Sequence, residues 1–373
     1  MAPVHYQQAA FPPDQDLDWK ELSPQIERAA QALGRYSGAL DAIPNSDVLL
    51  SPLTRQEAVL SSRIEGTQAT MKEVLLFEAG HEPESPSRRD DYDEVINYRV
   101  AMQEARKVLA VQPMSQSVIQ RVHQILLSGA RGRRMTPGKY RTNQNWIGPS
   151  GSTMKDAIYV PVAASKLSQT MKTWEVYATK DNHANPLVEI AVLHAEFEAI
   201  HPFWDGNGRL GRILIPLLMW KYGLIQAPVF YISNYLETNR DEYFDGLLAV
   251  SSDNDWTGWC RFFLGAVESQ AVDNLSKVRE IMLLYDEMKR QITEIGRSKY
   301  GVHVLDGIFN RPVFTTSGLV KDTNVPVRAA QRILERIRDS GILAEVKPGR
   351  GQLPSVFIFT ELLRIAEGET VFE

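Results

Sequence analysis

One short stretch of the sequence brings together side chains that can move a proton and hold a metal ion. Residues 201–212 read HPFWDGNGRLGR, so a histidine and a carboxylate lie four positions apart. His201 can accept a proton from an attacking hydroxyl group. Asp205 can hold a divalent cation that bridges phosphates, and a hard cation with carboxylate and phosphate ligands suggests magnesium.

The same stretch contains the groups needed to bind phosphate. Gly206, Asn207 and Gly208 open a predicted helix, where inward-turned N–H groups and the helix dipole favour an anion. Arg209 and Arg212 lie one turn apart on that helix and can grip phosphate oxygens from the same side. Together with the base and the carboxylate, these residues predict a site that cleaves a nucleotide and transfers part of it.

Two other interpretations of the stretch remain open. It can be a glycine-rich turn between two core helices, with its arginines in solvent. It can also belong to a metal site, since His194, Glu198 and His201 lie at helical spacing. No cysteine or further cluster of carboxylates supports a closed metal site of that kind.

Helices must position this stretch. An apolar run at 187–200 precedes it and another at 213–222 follows it, and both have the length and composition of core helices. Helical patterns also cover 163–176, 237–248 and 256–295. Two β-like runs, 142–147 and 157–160, flank a loop rich in Gly, Ser and Pro, which predicts a β-hairpin inserted into a helical protein.

The motif resembles the signature of Fic-domain proteins, H-P-F-x-[D/E]-G-N-G-R-x-x-R, at every defined position. This family largely transfers AMP from ATP to hydroxyl side chains of target proteins and uses magnesium. The resemblance implies that His201 is the general base, that Asp205 holds magnesium and that Arg212 clamps the γ-phosphate. It implies ATP binding by Asp205, Gly206, Asn207, Gly208, Arg209, Leu210, Gly211, Arg212 and, as a base or ribose contact, Tyr243.

Gly208 bears on the group that is transferred. A branch of the family that transfers the γ-phosphate has a bulky basic residue at this position, so glycine favours AMP transfer. A phosphocholine-transferring branch also exists, and the motif alone does not fix the donor.

A second segment is similar to the flap of Fic domains. The hairpin from Asn145 to Pro161 would offer a strand edge to a target segment and hold its hydroxyl over His201. The residues expected to dock the target are Asn145, Trp146, Ile147, Gly148, Ile158, Tyr159 and Val160.

A third segment resembles the inhibitory motif [S/T]-x-x-x-E-[G/N] of the family. Ser61, Glu65 and Gly66 match its defined positions, and Glu65 falls one helical turn after Ser61. The resemblance implies that Glu65 pairs with Arg212 and so excludes the γ-phosphate. The same carboxylate could instead orient a water that removes AMP from a modified target.

The C-terminal part has a different pattern. A capped short helix, a turn at 324–326, an amphipathic helix at 327–340 and two short strands predict a winged helix-turn-helix. Residues 311–350 contain eight Lys/Arg and four Asp/Glu, which is compatible with DNA contact. Acidic residues interleave with the arginines of the second helix, so docking to protein or support of a homodimer is the alternative.

Bulk properties fit an ordinary globular protein with several domains. The 373 residues carry a formal net charge of −5 and one cysteine, Cys260. The sequence has no secretory signal pattern and no long apolar run, so we expect a cytoplasmic protein without membrane contact. We predict a mainly α fold, with a Fic-type helical bundle, a small β-hairpin flap and a C-terminal winged helix. The predicted segments are an N-terminal region at 1–110, a Fic core at 111–265, a connecting helix at 266–300 and a winged-helix domain at 301–373.

These features lead to one main functional hypothesis and two alternatives. The main hypothesis is a magnesium-dependent protein adenylyltransferase that uses ATP, modifies Ser, Thr or Tyr of targets or of itself, and is restrained by Glu65. The first alternative is a deAMPylase that uses the same site. The second is a DNA-binding regulator in which the Fic core senses a nucleotide.

Overall fold

The structure is a computed structural model that describes residues 2–7, 10–129, 135–149, 151–181, 184–296, 298–347 and 354–368. Helices dominate it and strands are few and short, so the predicted mainly α fold is confirmed. The elements in chain order are β1 Val4–His5, α1 Trp19–Asp41, α2 Ser46–Leu49, α3 Ser51–Ile64, α4 Met71–Glu78, α5 Pro86–Leu109, α6 Gln116–Leu126, β2 Tyr159–Val160, α7 Leu167–Ala178, α8 Pro186–Ile200, α9 Asn207–Lys221, α10 Ser233–Thr238, α11 Arg240–Asp253, α12 Trp256–Gly296, α13 Gly301–Asn310, β3 Val313–Thr315, α14 Thr316–Thr323, α15 Val327–Asp339, β4 Ala344–Lys347, β5 Val356–Ile358 and α16 Thr360–Glu367.

The chain forms two compact units, and each draws on separate parts of the sequence. The first comprises Met1–Ser37, Leu60–Thr67 and Ile96–Val272, and the second comprises Gly38–Val59, Gln68–Val95 and Asp273–Glu373. The units are therefore interleaved along the chain, whereas the sequence suggested four consecutive segments. Those segment boundaries remain a prediction.

The core of the first unit is built on α8 and α9. Helix α8 begins at Pro186 behind Asn185, whose side chain accepts hydrogen bonds from the N–H groups of Leu187 and Val188. Its side chains are apolar on nearly all sides and almost all are buried, as expected for a helix surrounded by protein. The helix ends at His201, which has a left-handed backbone with φ 48°. Gly206, with φ 77°, then caps α9, so the motif lies on the turn between two core helices.

The flap is shorter than the predicted hairpin. Residues 142–147 do not form a strand, and a single bridge joins Ile147 to Tyr159 of β2. The other edge of β2 pairs in parallel with β1, where Val4 N–H and Tyr6 N–H donate to the carbonyls of Ile158 and Val160, each at 3.0 Å. The pairing of β1 with β2 was not predicted, because no local pattern links the first residues of the chain to a segment more than 150 positions later.

The C-terminal part of the second unit contains a three-stranded antiparallel sheet in the order β3-β5-β4. Helices α13, α14 and α15 pack against one another, and Thr315 caps α14 by accepting from Gly318 N–H. Asn324, with φ 54°, ends α14 and leads into α15 through a three-residue turn. The helices and strands fall where they were expected, while most of the turn predicted at 347–351 lies outside the described residues. The assignment as a winged helix stays a prediction.

None of the described helices combines the length and the apolar character needed to cross a membrane.

Candidate active site

A buried arginine holds the backbone turn that carries His201. Arg141 is 2 % exposed, and its guanidinium donates to the carbonyls of Ile200, His201, Asn143 and Val162, with the Nε–His201 O distance 2.9 Å. Its own N–H donates to Pro202 O at 3.0 Å. Helix α8 ends here, and its last carbonyls need donors from outside the helix. Arg141 supplies them and fixes the left-handed conformation of His201.

The asparagine of the motif has a structural task. Asn207 Oδ1 accepts from Phe203 N–H at 2.9 Å, and its Nδ2 donates to Phe203 O at 3.0 Å. Asn145 Nδ2 donates to the same carbonyl at 3.2 Å. The side chain of Asn207 therefore closes the loop, so only its backbone N–H remains to serve the predicted anion cradle.

His123 on α6 contacts the loop between α8 and α9 that carries the motif. Gly138 N–H donates to its Nδ1 at 2.8 Å, so the proton of the neutral ring is on Nε2, which lies 2.9 Å from Asp205 O and donates to it. The ring stacks on Phe203 with centroids 3.6 Å apart. Burial lowers the pKa of His123 to about 4, so the ring is neutral near pH 7. Sequence reasoning missed both His123 and Arg141, because their roles depend on contacts with distant parts of the chain.

His201 is held as a neutral imidazole. Burial lowers its pKa to about 4, an effect that Arg141 reinforces and that the carboxylates of Glu65 and Asp205 oppose. An ordinary histidine has a pKa near 6.5 and is partly protonated at neutral pH. His201, with its lowered pKa, is neutral over the whole physiological range. A neutral imidazole can take up a proton at neutral pH.

Arg212 is contacted by the N-terminal segment that resembles the inhibitory motif. Its Nε donates to Ser61 Oγ and its Nη2 to Ser61 O, both at 2.8 Å. Nη2 also lies 2.6 Å from Glu65 Oε1. Burial raises the pKa of Glu65, but the opposing effects of Arg212, Arg209 and His201 are larger and hold it below its usual value. The carboxylate is thus charged and paired with Arg212.

The carboxylate of Glu65 lies directly on the first turn of α9. A Cβ atom placed on Gly208 would be 2.2 Å from Glu65 Oε1 and 3.0 Å from Arg212 Nη1. The contact therefore requires glycine at position 208. An anionic oxygen already occupies the helix N-terminus, where a phosphate would be expected to bind.

Asp205 and Arg209 lie side by side at the start of α9. Asp205 Oδ1 accepts from Gly206 N–H at 2.6 Å and lies 3.3 Å from Arg209 Nη2. The Asp205 side chain is 38 % exposed, whereas Arg209 is buried. Among the described residues, no group of three or more His, Cys, Asp or Glu side chains could hold a metal ion, and His194 contacts Tyr243 instead. His194, Glu198 and His201, all within the described part of the chain, do not form such a group.

Three residues predicted to bind ATP face the protein interior. Leu210 is fully buried, and a Cβ on Gly211 would lie 2.2 Å from Glu198 Oε1, which makes Gly211 a point of close helix contact. Tyr243 is 1 % exposed, and its hydroxyl lies 2.9 Å from His194 Nε2. Its ring packs among Phe244, Trp259 and Phe262. The burial of Tyr243 therefore does not favour the nucleotide contact expected of it. The sequence could not separate the two roles, because a buried helix position and a ligand contact give the same apolar pattern.

The predicted docking residues of the flap divide into two groups. Asn145, Tyr159 and Val160 are buried, and Tyr159 anchors the flap by donating from its hydroxyl to Ala199 O at 3.0 Å. The remaining residues are exposed: Trp146, Ile147, Gly148 and Ile158. Only this second group presents side chains or backbone to an incoming segment.

Two family profiles match the sequence. The profile of the Fic/DOC family N-terminal region matches residues 23–107, and the profile of the Fic/DOC family matches residues 113–219. Together they span the Glu65 segment, His123, Arg141 and the whole motif.

Curated relatives carry matching names. The protein adenylyltransferase Fic of Drosophila melanogaster is 24% identical over 250 residues, which cover 65% of this chain and 47% of the relative. A probable protein adenylyltransferase of Aquifex aeolicus is 31% identical over 87 residues, covering 23% of this chain and 24% of the relative. The chain spans about half the length of the Drosophila protein that it matches.

Solved structures share the fold. A Fic family protein from Desulfovibrio desulfuricans G20 has a TM-score of 0.58 at 20% identity and covers 91% of this chain and 95% of its own. A fragment of Fic-1 from C. elegans has a TM-score of 0.51 at 19% identity and covers 70% of this chain and 72% of its own. With a complete motif, matching profiles and these structural neighbours, the chain belongs to the Fic family as a Fic-domain protein.

Proposed function

We propose that this protein is an adenylyltransferase that transfers AMP from ATP to a hydroxyl side chain of a target protein, itself included. The observation that carries the proposal is the neutral His201 placed directly before a helix N-terminus that holds Arg209 and Arg212. Relatives named protein adenylyltransferases support the same reaction class.

The chemistry follows from these positions. The oxygen of a target Ser, Thr or Tyr attacks the α-phosphorus, the bond from that phosphorus to the bridging oxygen of the β-phosphate breaks, and pyrophosphate leaves. His201 takes the proton of the attacking hydroxyl. The backbone N–H groups at the start of α9, together with Arg209, stabilise the charge that develops on the phosphate oxygens. Arg212 binds the γ-phosphate and so fixes the α-phosphate in line.

The donor set fits a magnesium ion. Magnesium is usually held by one or two carboxylates together with substrate phosphates, and Asp205 offers one partly exposed carboxylate at the mouth of the predicted cradle. Asp205 would hold the ion. A bound ion would neutralise charge on the phosphates.

Glu65 keeps the enzyme in a restrained state in this proposal. Its carboxylate is paired with the Arg212 guanidinium, which the γ-phosphate needs. It also places a negative charge at the start of α9, where a phosphate would bind. Productive ATP binding therefore requires Glu65 to leave Arg212.

Target selection is assigned to the exposed part of the flap. Ile147 uses its N–H and carbonyl to pair with β2. Trp146 and Gly148 flank this bridge and are exposed, so we assign the contact with a target segment to them. An extended target segment that pairs there would bring its hydroxyl towards His201.

Labelling with ATP tests the proposal directly. Glu65→Gly should incorporate AMP from α-labelled ATP into itself or into lysate proteins more strongly than the unchanged protein. His201→Ala in the Glu65→Gly background should incorporate none. Absence of labelling by Glu65→Gly in both self- and lysate assays would overturn the proposal.

Label position also separates AMP transfer from transfer of the γ-phosphate. AMP transfer requires that α-label is retained on protein and γ-label is released as pyrophosphate. The opposite outcome would assign a kinase-like reaction.

A second candidate reaction uses the same groups. Glu65 is charged and a third exposed, so it could orient a water for removal of AMP from a modified target. Release of AMP from a labelled target should then be lost in Glu65→Gly, whereas equal release by both proteins would exclude this role.

A further inference from the structure

Helix α15 has two faces of opposite character. Its four apolar side chains, Ala330, Ile333, Leu334 and Ile337, are at most 1 % exposed and face the core of the C-terminal part. Its other side carries the exposed residues Val327, Arg328, Gln331, Arg332, Glu335 and Arg336. Every residue of α15 is described, and Val327 is its one exposed large hydrophobic side chain.

The arginines form a stripe along this exposed side. Arg328, Arg332 and Arg336 succeed one another at intervals of four residues, so they follow one side of the helix with a rise of about 6 Å between neighbours. The two nearest the helix start, Arg328 and Arg332, form no ion pair with a described residue. By contrast, Arg338 lies 2.9 Å from Asp339, and Arg311 lies 3.4 Å from Asp322. The charges of Arg328 and Arg332 are thus left for an external anion.

A protein partner fits this face poorly. The cores of protein-docking surfaces are enriched in aromatic side chains, Met and Arg, and α15 contains arginine but no aromatic residue and no Met. Here the apolar residues are already used in the helix core, and the exposed side is dominated by arginine and polar groups. Nucleic acid is the partner whose chemistry matches: arginine binds phosphates and guanine edges, glutamine reads adenine, and an apolar side chain can contact the thymine methyl group.

The elements around α15 place it as the second helix of a helix-turn-helix, the helix that contacts the bases in such proteins. Helices α13 and α14 pack against α15, and the three-residue turn at 324–326 connects α14 to its start. Ser317, exposed at the start of α14, offers a hydroxyl beside the helix N-terminus, a group suited to a phosphate. In helix-turn-helix proteins the second helix enters the major groove with its first residues at the bases. In α15 those first residues are Val327, Arg328, Gln331 and Arg332.

We propose that the C-terminal part of this protein binds double-stranded DNA, with α15 in the major groove and Arg328, Gln331 and Arg332 as the residues that contact it. This function is separate from nucleotide transfer and uses none of the residues of that site. The interleaved Glu335 limits nonspecific attraction to anions and can accept a hydrogen bond from cytosine.

Binding by the full-length chain tests this. Fluorescence anisotropy with a labelled duplex of three helical turns, about 30 base pairs, is measured from about 50 to 200 mM salt. Arg328→Ala/Arg332→Ala should weaken binding at the lowest salt by at least about tenfold and reduce the slope of log K against log salt by about 1.8. Arg338→Ala is the matched control in the same helix, since its charge is already paired with Asp339. Thermal unfolding of all variants shows whether the fold is kept.

The outcomes decide between partners. Arg328→Lys/Arg332→Lys should keep the salt slope, because the charges remain, and lose discrimination among duplexes selected from a random pool. No binding of duplex DNA at the lowest salt overturns the proposal, and so does an equal loss in Arg338→Ala. Equal affinity for an RNA duplex also overturns it, because the narrow major groove of A-form RNA does not admit a helix.

Discussion

Two neighbouring serines at the end of α3 offer a test of how Arg212 is held. Ser61 and Ser62 are both fully buried, but only Ser61 Oγ accepts from Arg212, at 2.8 Å. Ser62 Oγ has no hydrogen-bond partner among the described residues. A hydrogen bond to a charged group contributes about 1.5–3 kcal/mol. Its loss removes one of the contacts that hold the Arg212 guanidinium against Glu65.

We therefore expect Ser61→Ala to raise AMP incorporation by about tenfold or more, to a level between those of the unchanged protein and Glu65→Gly. Ser62→Ala should leave incorporation unchanged. Quantitative labelling with α-labelled ATP at matched protein concentrations gives the comparison. Equal rates in the two serine variants would mean that Ser61 does not take part in restraining Arg212.

The depressed pKa of His201 makes a second prediction at the same scale. Because burial lowers this pKa to about 4, the imidazole stays neutral as the pH falls through 6.5. In the Glu65→Gly background the carboxylate that raises this pKa is gone, so the ring is still harder to protonate. The rate of AMP transfer should show no inflection near pH 6.5 that is attributable to the base. NMR of the imidazole nitrogens, assigned by comparison with His201→Ala, checks this without catalysis. A titration of His201 near pH 6.5 would contradict it.

At the scale of elements, Arg141 joins the end of α8 to the flap. It satisfies the carbonyls of Ile200 and His201 at the helix end and that of Val162 after the flap, and it has no carboxylate partner among the described residues. Lysine has the charge but lacks the fork of donors, so several buried carbonyls lose their partners in Arg141→Lys. We expect a loss of about 2–4 kcal/mol in the free energy of unfolding, together with reduced labelling in the Glu65→Gly background. Chemical denaturation measures the first effect.

Arg121→Lys is the control for that comparison. Arg121 is 59% exposed and pairs with Glu104 on the surface, so its replacement should change the free energy of unfolding by less than about 0.5 kcal/mol. Similar losses in the two variants would show that the buried contacts of Arg141 do not account for its effect.

The elements also show what local sequence could and could not predict. Helices α8 and α9 were predictable from continuous apolar runs, and α12 and α15 from apolar residues that recur at helical spacing, because both signals are local. The flap was predicted as a hairpin because β-like residues flank a turn, but its second partner is β1 from the chain start. Arg141 and His123 could not be assigned, since both act on carbonyls of distant residues that no spacing rule identifies. For Arg141, the one signal available in the sequence was the Gly-Lys-Tyr-Arg run at 138–141, whose charges had no assigned role.

At the scale of the whole molecule, buried carboxyl groups on α8 should control stability as the pH changes. Burial raises the pKa of Glu196 and of Glu198 to about 8. Glu196 accepts from the Tyr6 hydroxyl at 2.5 Å, which ties the N-terminal arm to this helix. Both carboxyls therefore keep their protons in the folded state well above the pH at which they lose them in the unfolded chain.

The sign of the effect follows from proton counting. Between about pH 4.5 and 8 the folded state binds more protons at these two groups than the unfolded state, so stability falls as the pH rises. The buried histidines His123, His194 and His201, with a pKa of about 4, 3 and 4, act in the opposite direction but only below about pH 6.5. From about pH 6.5 to 8 the carboxyls act unopposed by these histidines, and we expect the free energy of unfolding to fall by about 2 kcal/mol or more. Denaturation at a series of pH values should show this decline, and Glu196→Gln/Glu198→Gln, which mimics the protonated acids at every pH, should flatten it. If the free energy of unfolding of the double variant falls with pH as steeply as that of the unchanged protein, the loss of stability arises elsewhere. In that case the docking of the N-terminal arm through Tyr6 does not depend on a protonated Glu196.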